Sequence, residues 1–532
     1  MLEVVTPKEM RSAEQALFEE GVPSLLVMES AVRSIYERMR ESLGSMIGKK
    51  VLIAAGPGNN GGDGLALARF LAADHANVSV LLPKHPKTKE AQANLAYCQT
   101  LLIRIFAPGA DDAEEIDPVC FDRAFADDYD YVVDALFGTG LDRKLTGIYA
   151  KCAQRINQMS NRAAILSIDI PSGLNGESGQ VNGGEHTGVC ICANKTYVLG
   201  KPKNGLLQIS SVRYTGKLIH CPFEPISGRR ITKEQTEVWQ LEEADHIHWI
   251  EERRRSFHKG NAGRVLIYAG SMGMAGAAAM AARAALRAGA GLVTLAASAG
   301  LIPILQTLVP NAMCAELESA VQNPPKHDVF VAGCGIGTDE ESLRRLNLLL
   351  ANETGPVILD ADALNIIAKD KIKLPDHTIL TPHIGEAARL LKTDVNAVML
   401  DPIQAAQTIL AEYHAHTVVL KSHYTYIVQS GKVYICTSGC PALAKGGSGD
   451  ALCGVMAALT AEKNASEQAD AYKGEQWLSE YAAAACLWLG LAGEEAQSQW
   501  GDRGALTGDV IDRLPFVLSR LRERYGRADI VR

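Results

Sequence analysis

Short apolar runs typical of buried strands alternate with helical segments along this chain, and the alternation starts twice. In the first half, a run at 51–55 leads into a glycine-rich turn and a helix at 65–72. In the second half, a run at 264–268 leads into another glycine-rich turn and an alanine-rich helix. Strands that alternate with helices form βαβ units and mostly parallel sheets. The sequence therefore predicts two α/β domains.

The stretch between the two alternating regions is polar. From Pro222 to about Gly260, strand-like runs give way to prolines, glycines and mixed charges. Such a change in composition is typical of a domain boundary. We expect one domain at 1–222 and a second at 235–532, which suits a chain of 532 residues at about 150 residues per domain.

The charge and cysteine content exclude several classes of protein. A net charge of −8 and a pI near 6.0 give no reason to expect nucleic acid or an anionic membrane as a partner. The 12 cysteines include no CxxC pair, so neither a disulfide framework nor a common zinc site is expected. The chain starts without the apolar core of a signal peptide, and the long uncharged stretch after Arg287 is interrupted by prolines. We expect a cytoplasmic protein without a membrane span.

The first glycine-rich turn, at 55–64, reads AGPGNNGGDG. Glycines in such a turn let backbone N–H groups approach an anion at the start of a helix. Three of them match the GxGxxG spacing of dinucleotide-binding folds, but the next strand ends without the acidic residue that this fingerprint needs. A Walker A loop is excluded because no Lys-Ser/Thr pair follows. A tight packing turn is the remaining alternative, and the polar sequence at 59–63 argues against it.

The sequence NNGGDG at 59–64 resembles the signature of the YjeF N-terminal domain, the NAD(P)H-hydrate epimerases. Two later segments extend the resemblance in the family's order: VDALFGTGLD at 133–142 and SIDIPSG at 167–173. The match covers most of residues 1–220, and it implies a Rossmann-like three-layer sandwich. Side-chain oxygens at the ends of parallel strands also suit a hard cation and a ligand.

This resemblance implies a potassium site and a site for a hydrated nicotinamide nucleotide. The potassium ligands would be Asn60, Asp134 and Ser172. The residues around the hydrated nucleotide would be Asn59, Asn60, Gly61, Gly62, Asp63, Gly138, Thr139, Gly140, Leu141, Asp142, Arg143, Lys144 and Asp169. Asp169 is our candidate acid/base for interconverting the hydrate epimers. The alternative for Asp134 and Asp169 is a structural carboxylate at a strand end.

A second glycine run, AKGGSGD at 444–450, leads into another helix. The N–H groups at such a helix start form an anion hole for a phosphoryl group in transfer. The carboxylate of Asp450 could take a proton from an attacking hydroxyl. The alternative for Asp450 is a helix N-cap, which is a common role for a single Asp after glycine.

The segments around this second turn resemble the ribokinase-like superfamily, and more closely the ADP/ATP-dependent NAD(P)H-hydrate dehydratases. The matching segments follow the family's order over about residues 255–515, at 258–266, 276–278, 287–294, 333–337, 359–365 and 380–386. The resemblance implies a ribokinase-like three-layer sandwich with Asp450 as the catalytic base.

The same resemblance implies two sets of ligand contacts. The hydrate would contact Ala277, Gly335, Gly337, His383 and Asp450. The nucleotide would contact Lys421, Ser422, His423, Tyr424, Thr425 and Gly449. Asp360 and Asp362 follow a strand and could help to organise Mg²⁺ with phosphate oxygens, or act as caps or core-edge carboxylates.

The chain departs from this family's pattern at 421–425. The usual Lys-Gly-Ala-Gly-Thr is Lys-Ser-His-Tyr-Thr here, so Ser422 and Tyr424 replace two glycines. A Cβ atom restricts positive φ and takes up volume near the ligand. One interpretation is weakened or lost nucleotide binding. We favour the other, in which Ser, His and Tyr keep the path of the loop and add hydrogen-bond donors or a stacking face for the nucleotide.

Together, the resemblances imply an enzyme that repairs NADHX and NADPHX. The first domain would epimerise the R and S hydrates with K⁺ bound. The second would dehydrate the S form with Mg²⁺ and ADP, releasing AMP and phosphate. We expect a homo-oligomer that binds small molecules and not nucleic acid. Two alternatives remain: a ribokinase-like small-molecule kinase with a YjeF-type binding domain, and a non-catalytic module like the related domains of RNA-decapping scaffolds.

Overall fold

The computed structural model describes residues 1–109, 113–231, 237–250, 252–351, 353–370, 372–466 and 477–526. The chain divides into two compact units, Leu2–Glu234 and Gln235–Arg532 together with Met1. Residues 232–236, at the expected boundary, are outside the described ranges. Phe223 and Ile226 are buried in the core of the N-terminal unit. The packed chain of this unit therefore continues beyond residue 222.

The N-terminal unit contains a parallel sheet with helices around it. After a two-residue strand β1 (Leu2–Glu3) that is not part of this sheet, the strands of the sheet are β2 (Lys50–Ala55), β3 (Asn77–Leu81), β4 (Arg104–Phe106), β5 (Tyr131–Ala135), β6 (Ala164–Ile168), β7 (Lys195–Leu199) and β8 (Lys217–Cys221). Its α-helices are α1 (Pro7–Glu19), α2 (Ser24–Leu43), α3 (Asn59–Ala73), α4 (Lys89–Thr100), α5 (Pro118–Ala124), α6 (Gly147–Gln158) and α7 (Val212–Thr215). The sheet order is β4-β3-β2-β5-β6-β7-β8, and each neighbouring pair is parallel.

Alternate residues of the central strand β2 point to opposite faces of this sheet. Val51 and Ile53 belong to a core that also contains residues of α1 to α4. Leu52 and Ala54 belong to a second core that contains residues of α5 and α6. Because side chains alternate along a strand, helices cover both faces. The predicted three-layer α/β sandwich is confirmed for this unit.

The C-terminal unit is a second, larger α/β unit. Its strands are β9 (Glu237–Gln240), β10 (Arg264–Tyr268), β11 (Leu292–Ala297), β12 (Met313–Glu316), β13 (Val329–Ala332), β14 (Val357–Leu359), β15 (Thr378–Leu380), β16 (Thr417–Leu420), β17 (Thr425–Gln429) and β18 (Lys432–Cys436). They lie in the order β9-β18-β17-β16-β15-β14-β13-β10-β11-β12. The pairs β16–β17 and β17–β18 are antiparallel and the others are parallel.

One face of this sheet is covered by helices α9, α17, α18 and α19 in a core rich in alanine. The α-helices of the unit are α8 (Asp245–Trp249), α9 (Ala275–Arg287), α10 (Ile302–Leu308), α11 (Leu317–Gln322), α12 (Glu340–Ala351), α13 (Ala361–Lys369), α14 (Ile384–Leu391), α15 (Val395–Leu400), α16 (Pro402–Tyr413), α17 (Ser448–Ser466), α18 (Trp477–Gly504) and α19 (Thr507–Tyr525). The uncharged stretch after Arg287 folds as β11, α10 and β12. Within the described ranges, no helix is both long and apolar enough to cross a membrane.

Two candidate active sites

The glycine-rich turn of the N-terminal unit joins β2 to α3, and packing requires two of its glycines. A Cβ atom on Gly56 would lie 1.8 Å from the carbonyl oxygen of Leu136, and one on Gly61 would lie 1.9 Å from that of Gly56. Gly58 is the N-cap of α3, and Asn60 lies in its first turn. Since packing alone accounts for Gly56 and Gly61, a role in ligand binding has to rest on the polar residues of the turn.

Asp134, in β5, has a fully buried carboxylate. It accepts hydrogen bonds from Ser172 Oγ at 2.6 Å, Ser172 N at 2.8 Å, Ser167 Oγ at 2.9 Å and Leu136 N at 3.2 Å. Burial raises the pKa of Asp134, and the bonds from these donors limit that rise. The structure thus brings two of the three predicted potassium ligands, Asp134 and Ser172, into direct contact.

Asn60 and Asp169 meet beside Gly138. A Cβ atom on Gly138 would lie 3.0 Å from Asn60 Oδ1 and 3.0 Å from Asp169 Oδ2. The other oxygen of Asp169 accepts a hydrogen bond from Lys203 Nζ at 2.5 Å. Asn60 Nδ2 is buried and has no hydrogen-bond partner among the described residues. The absence of a side chain at 138 therefore leaves room in which an amide and a carboxylate can face one ligand.

The rest of the predicted loop at 138–144 lies towards the surface. The carbonyl oxygen of Thr139 accepts a hydrogen bond from the Arg11 guanidinium of α1. The carbonyl oxygen of Leu141 accepts one from Asn182 Nδ2 at 3.2 Å. Gly140, Asp142, Arg143 and Lys144 are exposed. The loop is therefore fixed at two carbonyls and open to solvent between and beyond them.

The C-terminal unit contains a cavity of about 910 Å³ at the start of α17. Its lining includes the whole glycine run Gly446–Asp450 and the predicted residues His383, Lys421, Ser422, His423 and Thr425. Ser448 Oγ is buried and has no hydrogen-bond partner within the described part of the chain. The cavity therefore joins the helix start to most of the predicted nucleotide contacts.

Asp450 is the third residue of α17 and lines this cavity. Burial raises the pKa of Asp450, the negative charges of Asp360 and Asp362 add to the rise, and a hydrogen bond from the Cys334 thiol opposes it. A carboxylate whose pKa is raised towards neutrality is a better general base. The position suits a residue that takes a proton from a bound hydroxyl.

Lys421 and Asp360 form a buried ion pair beside the glycine run. Lys421 Nζ lies 2.5 Å from Asp360 Oδ1, and Cys453 Sγ lies 3.4 Å from the other oxygen. Burial disfavours both charges, but their attraction still lowers the pKa of Asp360 and raises that of Lys421. A Cβ atom on Gly449 would lie 3.1 Å from Asp360 Oδ2 and 3.4 Å from Lys421 Nζ. The ion pair thus lies directly beneath the start of α17.

The predicted hydrate contacts Ala277, Gly335 and Gly337 lie close to one another, although they do not line this cavity. Gly335 has φ +67, and a Cβ atom there would lie 3.3 Å from the Cβ of Ala277. The N–H of Gly337 donates to Asp362 Oδ2 at 2.9 Å. Asp362 therefore holds the loop after β13, while Asp360 pairs with Lys421.

His383 is the N-cap of α14. Its Nδ1 accepts hydrogen bonds from Gly385 N at 2.9 Å and Glu386 N at 3.3 Å. The carboxylate of Glu386 accepts the N–H of His383 at 2.8 Å, which completes a capping box. The ring is 53% exposed and lines the cavity. A capping role and a ligand contact are therefore compatible, because the half-exposed ring lines the cavity while its Nε2 lies 3.5 Å from Glu386 Oε1.

Comparison with known proteins agrees with the two-unit architecture. A family model described as YjeF-related protein N-terminus matches residues 24–205, and one described as NAD(P)H-hydrate dehydratase matches residues 265–515. The bifunctional NAD(P)H-hydrate repair enzyme of Moorella thermoacetica is 33% identical over 98% of this chain and 97% of that protein. This chain belongs to the bifunctional NAD(P)H-hydrate repair enzyme family. The Escherichia coli member is 32% identical over 88% of this chain and 85% of that protein.

A solved structure of a related enzyme is also similar to part of this chain. The ADP/ATP-dependent NAD(P)H-hydrate dehydratase of Bacillus subtilis, co-crystallised with ATP and Mg²⁺, is 27% identical and covers 53% of this chain and 99% of that chain, with a TM-score of 0.47.

Helix α1 precedes the segment that the N-terminal family model matches, yet it adds two residues to the first site. Arg11 bonds the Thr139 carbonyl, as described above. Burial raises the pKa of Glu14 to about 6, with Lys203 opposing and Asp169 adding to the rise. Burial also raises the pKa of Asp63 well above its usual range, with contributions from Asp169 and Glu14. The sequence did not predict Arg11 and Glu14 as site residues. The pattern of an amphipathic helix shows that one face is buried, but it does not show which groups a side chain such as Glu14 will contact.

Glu14→Gln should stabilise the N-terminal unit above pH 6 and have no effect below about pH 4.5. The folded-state pKa of about 6 exceeds the ordinary value of 4.5, so the native state binds the proton more tightly, and stability falls as pH rises through this window. The expected gain at pH 7 is about 1–2 kcal/mol, since one pKa unit corresponds to about 1.4 kcal/mol. Thermal unfolding at several pH values measures it. Glu19→Gln, at the exposed end of α1, is the control; a pH-independent difference for Glu14→Gln would contradict the prediction.

Tyr424 is not among the residues that line the cavity, and this geometry disfavours a stacking contact between its ring and the nucleotide. Its side chain is 4% exposed, and its ring packs edge-on against His423 at 5.1 Å between centroids. Its neighbours Ser422, His423 and Thr425 line the cavity. Ser422 and His423 are the residues of the altered 422–424 segment that line the cavity.

Tyr424→Gly should therefore lower the stability of the C-terminal unit, and any change in the nucleotide KM should be the smaller effect. Removal of a buried aromatic ring costs about 3–5 kcal/mol, and urea unfolding of the C-terminal unit measures this loss. His423→Ala, by contrast, should raise the nucleotide KM at unchanged stability, because His423 lines the cavity. A stable Tyr424→Gly protein with an increased KM would contradict this assignment.

Proposed function

We propose that this chain repairs hydrated nicotinamide nucleotides in two steps. The N-terminal unit interconverts the R and S hydrates of NADH and NADPH, and the C-terminal unit dehydrates the S hydrate at the cost of a nucleotide phosphoryl group. The observation that carries the proposal is the cavity at the start of α17. It combines the Gly446–Asp450 run with the Lys421–Asp360 ion pair. Phosphoryl transfer needs an anion hole with a base beside it, and a simple binding module does not.

In the dehydration step, Asp450 takes the proton of the hydrate's hydroxyl group. The hydroxyl oxygen attacks the terminal phosphorus of ADP, a new O–P bond forms, and the bond to AMP breaks. The N–H groups at the start of α17 and the ammonium of Lys421 hold the phosphoryl oxygens, because a helix start and a cation both favour negative charge. The phosphorylated hydroxyl then leaves as phosphate, a ring proton is lost, and the dihydropyridine is restored.

The contacts proposed for this step are those predicted from the sequence, apart from Tyr424. Ala277, Gly335, Gly337 and His383 would contact the hydrate, and Lys421, Ser422, His423, Thr425 and Gly449 would contact the nucleotide. Mg²⁺ fits this site as an ion carried by phosphate oxygens, since Asp360 is paired with Lys421 and Asp362 with the N–H of Gly337. When bound, Mg²⁺ would neutralise charge on the phosphates.

In the epimerisation step, Asp169 acts as the acid/base on the hydrate held by Asn59–Asp63 and the 138–144 loop. A potassium ion would be held by Asn60, Asp134 and Ser172. Their side chains suit such an ion because they supply amide, carboxylate and hydroxyl oxygens, and the carboxylate of Asp134 is fully buried. The ion would supply positive charge near a negatively charged substrate. Asp134 and Ser172 would hold it in place.

The function is tested by incubating the full chain with mixed NADHX epimers and either ADP or ATP. We expect the absorbance of reduced nicotinamide to return for both epimers, with one orthophosphate released per molecule repaired. We expect ADP to serve as the donor and to yield AMP. A phosphorylated product that accumulates without return of the absorbance would indicate a small-molecule kinase instead.

A further inference from the structure

Lys203 is a fully buried lysine in the N-terminal unit, with 1% of its side chain exposed. It lies four residues beyond β7. Its ammonium donates to Asp169 Oδ1 at 2.5 Å and to the carbonyl oxygen of Leu199 at 2.7 Å. A buried ammonium is costly unless it is paired, and replacing such a pair with apolar residues often does not reduce stability. The ion pair therefore calls for an explanation other than stability.

The backbone around Lys203 is fixed on both sides. Val5 N donates to the carbonyl oxygen of Pro202 at 3.0 Å, and Asn204 N donates to that of Val5 at 3.0 Å. Leu206 N donates to the carbonyl oxygen of Lys203 at 2.9 Å. With its main chain held at three points, Lys203 can deliver its ammonium to only a small volume.

Asp169 is held just as firmly, in an unusual conformation. It has φ +64, in the left-handed region that residues other than glycine rarely occupy. Its N–H donates to the carbonyl oxygen of Tyr197 at 2.8 Å. With Oδ1 bonded to Lys203, Oδ2 lies on the Gly138 side, 3.0 Å from the position that a Cβ atom would take there. The two oxygens of Asp169 thus have separate environments: one binds the lysine, and the other faces the substrate loop.

We propose that Lys203 is a positioning residue of the epimerase, which binds Asp169 Oδ1 so that Asp169 Oδ2 is presented to the hydrated nucleotide in one orientation. The proposal rests on the proposed function, in which Asp169 is the acid/base. Lys203 touches neither substrate nor cofactor in this assignment and acts through Asp169.

The charged groups around Asp169 explain why a lysine is needed. Glu14 and Arg11 approach from α1, Asp63 from α3 and Cys221 from β8. Three carboxyl groups therefore lie near one another, and Asp169 contributes to the raised pKa values of Asp63 and Glu14. Lys203 supplies the positive charge that is bonded directly to Asp169, and this bond fixes which oxygen of Asp169 is used.

The test is a double-mutant cycle in the full chain with Lys203→Met, Asp169→Asn and the double variant. We expect Lys203→Met to lower kcat for epimerisation by about 10–100-fold with little change in KM, because a displacement of about 1 Å can cost about 100-fold. In the Asp169→Asn background, Lys203→Met should cause no further loss of kcat. The double variant should recover thermal stability relative to Lys203→Met, since no unpaired charge remains, without recovering activity.

Two controls separate this proposal from loss of the fold and from failure of the proposed function. Lys195→Met removes another lysine of the same unit, at the start of β7, whose Nζ donates to the carbonyl oxygen of Ser42 at 2.7 Å, and it should leave kcat unchanged. Dehydration of the pure S hydrate by each variant should also be unchanged. Equal, additive losses of kcat in both backgrounds, or a Lys203→Met protein with wild-type kcat, would overturn the role of Lys203. A wild-type chain that does not epimerise would instead overturn the proposed function.

Discussion

Replacement of Asp450 by Asn should lower the rate of dehydration by about 100- to 10,000-fold, which is the usual contribution of a general base. Asn has nearly the same size and can still cap a helix, so the fold of α17 and the shape of the cavity should persist. Only the ability to accept the hydroxyl proton is lost. Epimerisation should continue at the wild-type rate, because it depends on residues of the other unit.

The measurement is ADP-dependent recovery of reduced-nicotinamide absorbance from the pure S hydrate. Asp509→Asn is a matched control: Asp509 is likewise the third residue of its helix, α19, where it accepts the N–H of Leu506 at 2.7 Å. If Asp450 acted only as a capping residue of its helix, Asp450→Asn and Asp509→Asn would change the rate of dehydration to a similar extent. Dehydration near the wild-type rate in Asp450→Asn would remove Asp450 from the mechanism.

Replacement of Asp134 by Asn should disrupt the N-terminal unit and its response to potassium. The carboxylate accepts hydrogen bonds from Ser172, Ser167 and Leu136 with both oxygens, whereas an amide has only one oxygen. The NH₂ group would then face one backbone N–H, of Leu136 or of Ser172, at a cost of about 1–3 kcal/mol, and one serine hydroxyl, which can rotate to accept from it. The buried charge proposed to balance K⁺ is also lost, so epimerisation should fall and no longer depend on potassium.

Thermal unfolding in KCl and in NaCl measures the second effect without an activity assay. We expect K⁺ to raise the Tm of the wild-type N-terminal unit, because a ligand that binds only the native state stabilises it. Asp134→Asn should remove this difference. Asp130→Asn is the control, since Asp130 lies just before the same strand and pairs at the surface with Lys49. Dehydration of the S hydrate should persist in both variants, and its loss in Asp134→Asn would show that the two sites are coupled.

Much of the fold was predictable from local patterns. The runs at 51–55 and 264–268 became β2 and β10, and both are central parallel strands. Each is followed by its glycine-rich turn and a helix. Such patterns are reliable because periodicity and turn chemistry act over a few residues, and because a strand buried on both faces has to be apolar throughout.

The sites were predictable only where a residue's role depends on its place in a turn or at a helix start. Asp450 follows a glycine run into a helix, so its position beside an anion hole could be inferred from neighbours in sequence. Asp134 and Ser172 were predicted to share a potassium site only because the family resemblance implied it. Tyr424 shows the limit, since its burial depends on tertiary packing that the local sequence does not specify.

What the sequence alone determined was the order of strands, turns and helices, and which turns carry chemistry. The tertiary structure decided which side chains meet: Lys421 with Asp360, Lys203 with Asp169, and Glu14 with the acids of the first site. These partners lie on different elements, brought together when strands distant in sequence join one sheet. The charge state and orientation of a buried group depend on its neighbours in space, and local sequence does not specify those neighbours.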